Sequence, residues 1–185
     1  MKIRKRYIAI AISVLLVLIG ITATFALTQK PTEPTTSDFK PIPIENKNGQ
    51  LVVATLDSQE IIKLTNDYRA TKGLAPLIEN ELLNNSACAK AQHMVDNNYW
   101  SHVSPDGIQP WYYFDQAGYL YDGAGENQAF GYPSDTSVID GLIKSPTHEE
   151  NLVGDYTETG VCVLMNVDFQ GKRGTNVIVV HYGRP

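Results

Sequence analysis

Hydrophobic and polar positions divide the chain into three zones. Residues 7–27 (YIAIAISVLLVLIGITATFAL) form an apolar run without a charge, preceded by Lys2, Arg4, Lys5 and Arg6. As a helix rising about 1.5 Å per residue, this run is about 31 Å long, the depth of a bilayer's hydrocarbon core. The basic cluster keeps the N-terminus in the cytoplasm and sends the remainder outside. Segment 1–27 therefore predicts one transmembrane anchor. A signal peptide cleaved near Thr24-Phe25-Ala26 is the competing reading, and both export the rest of the chain. Residues 28–56 read as a linker, rich in Pro, Thr and polar residues up to about Lys40. Within it, 41–55 (PIPIENKNGQLVVAT) sets Asn48-Gly49 between two β-branched runs, the pattern of a small hairpin.

From residue 57 to 185 the periodicity changes. Asp57 or Ser58 caps a helix running to about Lys72, with Ile61, Leu64 and Tyr68 on one face, and Gly73 stops it. Asn80 opens a second helix whose Leu83, Ala87, Ala91 and Met94 make one buried stripe; its small residues imply a close neighbour. Pro110 and Gly118 bracket a short helix, and Ser134 caps another carrying Val138, Ile139, Leu142 and Ile143. Pro146 marks a further helix start. The closing runs TGVCVLMNVDF and NVIVVHY flank QGKRGT and read as a hairpin. Helices followed by antiparallel strands predict an α+β domain.

Composition narrows the class. At 43% hydrophobic with ten Tyr the chain is too apolar to be disordered, and two cysteines are too few for a disulfide scaffold. No second long apolar run exists, which excludes a polytopic membrane protein. Of fifteen Lys and Arg, five (Lys2, Arg4, Lys5, Arg6, Lys30) lie in the first thirty residues. Ten basic residues thus face twenty acidic ones in the rest, a net charge of −10. Such a module repels phosphate backbones, so nucleic acid is not an expected partner. A monomer is expected, with the membrane as the partner of the N-terminal helix. Export also permits a disulfide between Cys88 and Cys162.

Three short segments carry candidate chemistry: Ser101–Gly107 around His102, Gly125-Glu126-Asn127, and Ser145–Leu152 around His148. His102 lies in a Ser/Pro/Asp/Gly loop, Glu126 follows Gly123-Ala124-Gly125, and His148 follows Pro146. Residues on segment ends can converge, and two imidazoles with a carboxylate suit Zn²⁺ with an open position, or proton transfer near neutral pH. The alternative is three surface residues that cap loops. H-E-x-x-H fails because Leu152 replaces the second His, and no G-x-S-x-G is present. Ser145, three residues before His148, leaves a Ser–His pair open. His93 reads as a solvated helix residue and His181 as an ordinary strand residue. The aromatic set Trp100, Trp111, Tyr112, Tyr113, Phe114 and Tyr119 reads as core, part of it walling a cleft beside His102.

With Leu64-Thr65-Asn66-Asp67-Tyr68-Arg69-Ala70 and the closing His181-Tyr182-Gly183, the order of these segments resembles the CAP superfamily: cysteine-rich secretory proteins, antigen 5, plant pathogenesis-related proteins and many secreted bacterial, SCP-like members. The resemblance covers about residues 57–183. It implies an α-β-α sandwich around a central antiparallel sheet, and a surface cleft lined by two histidines and two acidic residues. His102, Glu126 and His148 match three of these; Ser145 stands where the family's other Glu falls. What it implies for function is an extracytoplasmic, membrane-tethered or secreted domain whose His/Glu cleft binds a lipid, a peptide or a metal of the cell envelope. A metal-assisted or acid–base hydrolase using His102, Glu126 and His148, and a non-catalytic structural envelope protein, are the alternatives.

Overall fold

The computed structural model describes residues 43–45 and 51–185, with side-chain surroundings from Ala54 onward. The apolar run 7–27, the first part of the linker and the Asn48-Gly49 turn lie outside the described residues. Among the described residues no helix is long and apolar enough to cross a membrane.

Strands β1 (Pro43–Glu45) and β2 (Leu51–Val53) pair antiparallel, giving the hairpin its two arms. Helix α1 (Ser58–Thr71) starts where the Asp57 side chain accepts the Gln59 N–H, and ends before Gly73, whose φ of +72° suits glycine. Strand β3 (Ile78–Glu79) leads into α2 (Glu81–Asp96), capped by Asn80. Leu83, Ala87, Ala91 and Met94 are fully buried, so the stripe read from the sequence is the packed face. Helix α3 (Trp111–Ala117) follows Pro110 and ends at Gly118 in the left-handed region. Strand β4 (Gly123–Phe130) precedes α4 (Asp135–Ile143), whose Ser134 and Ser137 form a reciprocal capping box. Helix α5 (Pro146–Leu152) carries Pro at its start. Strands β5 (Glu158–Phe169) and β6 (Lys172–Arg184) close the chain. They join through Gln170 (φ +50°) and Gly171 (φ +76°), the paired positive values a tight hairpin turn needs.

The sheet runs β3-β5-β6-β4. β5, β6 and β4 are antiparallel, but β3 joins β5 in parallel through Ile78–Glu158 and Glu79–Thr159, so the expectation of a wholly antiparallel sheet is corrected at one two-residue edge. The chain reaches that edge directly from α1, without the turn an antiparallel partner would require.

Period-two alternation along β6 separates two cores. Ile178, Val180 and Tyr182 pack with Ile61, Val138 and Leu142 of α1 and α4 and Leu152 of α5. Val177 and Val179 pack with Ala87, Ala91 and Met94 of α2. Helices thus cover both faces of the sheet. Gly160 on β5 has backbone of Leu83 and Asn84 directly above it, which is the close approach the small residues of α2 imply. Cys88 and Cys162 are bonded across the same contact, with Cα atoms 4.9 Å apart.

Candidate functional site

The site is built where the loop after α2, strand β4 and helix α5 meet. His102 sits on that loop, with its side chain 53% exposed. The loop is held from below by Lys90, a fully buried residue of α2. Its ammonium donates to the carbonyls of His102 (2.7 Å) and Ser101 (3.1 Å) and to the Tyr99 hydroxyl (3.1 Å). It also lies over the Tyr99 and Tyr113 rings. A long stem on an apolar stripe thereby carries its charge to three acceptors, which is how burial of an ammonium is tolerated.

Glu126 is not at a segment end. It lies in the middle of β4 and is 4% exposed. Strand β4 was not foreseen because GAGENQAF has no β-branched residue, so its strand character comes from pairing with β6. Its carboxylate accepts from His102 Nδ1 (2.6 Å) and Gln128 Nε2 (2.8 Å) on Oε1, and from His181 Nε2 (3.1 Å) on Oε2. Burial pushes this carboxyl up, but the donors His102 and His181, with the His181 and Lys90 charges, outweigh it and hold the group below its ordinary value.

His181 is the cross-strand partner of Glu126 in the β4–β6 register. The reading of it as an ordinary strand residue is corrected: it is fully buried, stacked on Phe114 (4.3 Å, 22°), with Nδ1 2.7 Å from Ser86 Oγ. Burial holds its imidazole below the usual range, with Glu126 opposing. Nor is His93 fully solvated: it is half-buried, and its Nδ1 meets the Tyr99 hydroxyl at 3.0 Å. The signal that would have found His181 and Lys90 is their position. His181 shares a strand face with the buried Val177 and Val179, and Lys90 falls on the stripe of Leu83, Ala87 and Met94.

His148 Nδ1 lies 2.7 Å from Ser145 Oγ. Burial, then the charge of nearby His102, hold this imidazole below its usual range. Two asparagines lace α5 to β4. Asn127 Nδ2 donates to the His148 carbonyl (3.0 Å), and Asn151 Nδ2 to the Glu126 carbonyl (3.0 Å) and Asn127 Oδ1 (2.8 Å).

Two adjoining hollows open along β4. One, of ≈ 290 Å³, has His102, Glu126, Asn151, Val103, Pro110 and Trp111 among its walls. The other, of ≈ 230 Å³, includes Trp100, Gln128, Phe130, Tyr132, Ser145 and His148. The four predicted residues are therefore divided in pairs, His102 with Glu126 and His148 with Ser145.

This division bears on a metal. Each Glu126 oxygen already accepts from an imidazole, and His148 turns Nδ1 to Ser145. Among the described residues no three His, Cys, Asp or Glu side chains are grouped to hold an ion. His102, Glu126 and His148 are thus not grouped as a three-ligand centre among the described residues, while these bonds leave out the Nε2 atom of each imidazole. What the arrangement supplies is an imidazole backed by a buried carboxylate at the mouth of a partly aromatic hollow. The Ser145–His148 pair lacks such backing among the described residues.

Comparison with known proteins gives a consistent picture. Residues 62–182 match the model of the cysteine-rich secretory protein family, CAP. The chain is 36% identical over 104 residues to YkwD of Bacillus subtilis (strain 168), covering 56% of this chain and 40% of that protein. It is 30% identical over 126 residues to the B. subtilis membrane protein YlbC, covering 68% of this chain and 36% of that protein. The chain thus spans about two fifths of the length of these relatives. An SCP-domain extracellular protein of Bacillus anthracis superposes with a TM-score of 0.59 at 26% identity, covering 69% of this chain and 40% of that one. An outer surface protein of Borrelia burgdorferi shares the fold, at a TM-score of 0.59 and 19% identity over 68% of this chain and 90% of that one.

Proposed function

The chain belongs to the cysteine-rich secretory protein (CAP) family, and on that premise we propose that it is an extracytoplasmic binding module, held at the membrane by residues 7–27, whose cleft at His102 takes a ligand of the cell envelope. The observation that carries this reading is the commitment of Glu126. Its oxygens hold His102 and His181 from a buried position, so the cleft offers one oriented imidazole beside Trp111, Val103 and Pro110. Apolar walls with a few fixed polar groups suit recognition. An extracellular or membrane setting is supported by the relatives described as an extracellular protein, an outer surface protein and a membrane protein.

A second reading, an acid–base hydrolase, draws on the same pair, since a carboxylate-backed imidazole is also a proton acceptor. One experiment separates the readings. Labelled protein is titrated with disaccharide-peptide fragments of peptidoglycan, with phospholipid vesicles and with zinc chloride, while the His102 and Trp111 signals are followed. Saturable shifts with one of these, abolished by His102→Ala and with the probe unchanged, support the binding module. Cleavage of the probe that needs His102 supports the hydrolase. No shift with any of the three refutes the cleft as a binding site and leaves a structural envelope domain.

A further inference from the structure

Behind the exposed imidazole lies a chain of hydrogen bonds that never reaches solvent. Ser86 Oγ and His181 Nδ1 are 2.7 Å apart, His181 Nε2 and Glu126 Oε2 3.1 Å, and Glu126 Oε1 and His102 Nδ1 2.6 Å. The first three residues are 0%, 0% and 4% exposed, and they come from α2, β6 and β4. Glu126 borders the cleft but is buried, and only the last link, His102, is substantially exposed there.

The chemistry of the middle link fixes the direction of the chain. An ionised carboxylate only accepts, so both ring nitrogens that face Glu126 carry protons. His181 then bears its proton on Nε2, and in the neutral ring its Nδ1 is an acceptor, which suits the Ser86 hydroxyl as donor. His102 bears its proton on Nδ1, so its neutral ring presents Nε2 outward as an acceptor. The two carboxylate oxygens are not equally supplied. Oε1 has both His102 and Gln128, whereas among the described residues His181 is the one side-chain donor on Oε2.

We propose that His181 is a positioning residue of the cleft, which through Glu126 fixes the exposed His102 ring with Nδ1 inward, so that the neutral ring offers its Nε2 lone pair to a ligand's hydroxyl, amide N–H or ammonium. Without the His181 donor, Oε2 is a buried carboxylate oxygen with nothing to accept from. The carboxylate then takes up a proton or turns away, and His102 loses the oriented acceptor that selects its tautomer. Phe114, stacked on the His181 ring from the α3 side, has no polar hydrogen, and the Lys90 ammonium directs its three N–H to Tyr99, Ser101 and His102, so neither neighbour replaces the missing donor at Oε2. The ligand-class clause rests on the cleft reading above; the positioning role does not.

The test is the tautomeric state of the two rings, read by long-range ¹H–¹⁵N correlation spectra of the full-length ¹⁵N-labelled protein in detergent micelles at pH 8. With four histidines in the chain, the assignments are tractable. The expected wild-type result is His102 protonated on Nδ1 and His181 on Nε2. His181→Phe, which keeps a ring against Phe114 and removes the donor, should turn the single His102 tautomer into a mixture, and His181→Gln, whose amide N–H can donate, should restore it. His181 protonated on Nδ1, or His102 on Nε2, in the wild type overturns the proposal without any variant. A folded His181→Phe with an unchanged His102 signature also overturns it and reduces His181 to a space-filling residue. These spectra need no ligand, so a cleft that binds none of the probes would leave this result standing and refute the cleft reading alone.

Discussion

Gly160 lies directly under the peptide that joins Leu83 to Asn84. A Cβ built on Gly160 would come within 2.2 Å of the Leu83 carbonyl carbon and of the Asn84 nitrogen, both backbone atoms of a helix start. Neither can give way as a side-chain tip could. Gly160→Ala should therefore cost about 3 kcal/mol or more, seen as a lower midpoint in urea with little change in slope. A loss under about 1 kcal/mol would mean that α2 rides higher over β5 than this contact allows.

The covalent bond beside that contact has its own signature. Cys88 and Cys162 are 74 residues apart in sequence, so closing the loop removes chain entropy worth about 4 kcal/mol. Denatured, unreduced protein from an oxidising compartment should show no titratable thiol, and two after reduction. Reduction should lower the unfolding midpoint by a matching amount.

The legible parts of this molecule were those with a strong local signal. The caps Asp57, Asn80 and Ser134, the Gly118 stop and the α2 stripe are each set within a few residues of chain, and each stands where its chemistry requires. Strand β4 was not legible, because Gly-Ala-Gly-Glu-Asn-Gln-Ala becomes a strand only when β6 lies beside it. The site divided in the same way. His102, Glu126 and His148 stand out in polar sequence, but their pairing depends on the fold, and the buried partners Ser86, Lys90 and His181 sit among apolar residues where a sequence reading expects packing.

Lys90 supplies the next prediction. Lys90→Met keeps the length of the side chain and its fit among the α2 neighbours, but leaves the Ser101 and His102 carbonyls without their donor and removes one of the positive charges acting on Glu126. The expected cost is about 3 kcal/mol. Amide exchange at residues 101–104 should accelerate more than exchange in β5 and β6. Uniform acceleration would indicate a general loss of stability and no specific hold on the loop.

Acid should weaken the domain in two stages. His181 is held low by burial, and His148 by burial and then by the His102 charge, so both are harder to protonate folded than unfolded. Their contribution is complete above the unfolded value of about 6.5, and declines as the pH falls below it, because the unfolded chain then takes up protons the folded one refuses. Glu126, whose carboxyl is also held low, contributes above about 4.5, and that contribution is lost as the pH falls through its lower folded value. Thermal melts should be level above pH 7, decline below 6.5 and decline more steeply below 4.5. His181→Phe should flatten the upper stage. A melting temperature that rises between pH 6.5 and 5 would reverse the assignment.

Arg69 is buried in α1 at 3% exposure, and its guanidinium reaches the carbonyls of Ala75, Leu152, Gly154 and Tyr156. Every one of those acceptors is main chain. The passage from α5 into β5 is therefore fastened through atoms common to all residues, so the exposed Asp155 and Thr157 can diverge without slackening the fastening, whereas Tyr156, packed on the core, is held in type and position 69 has no substitute. Lys keeps the charge but not the planar fork that serves several oxygens at once. Drift should thus collect at the exposed positions of the fastened loop and spare the residue that fastens it, and the surface between α5 and β5 can change its outward chemistry while its backbone stays where Arg69 holds it.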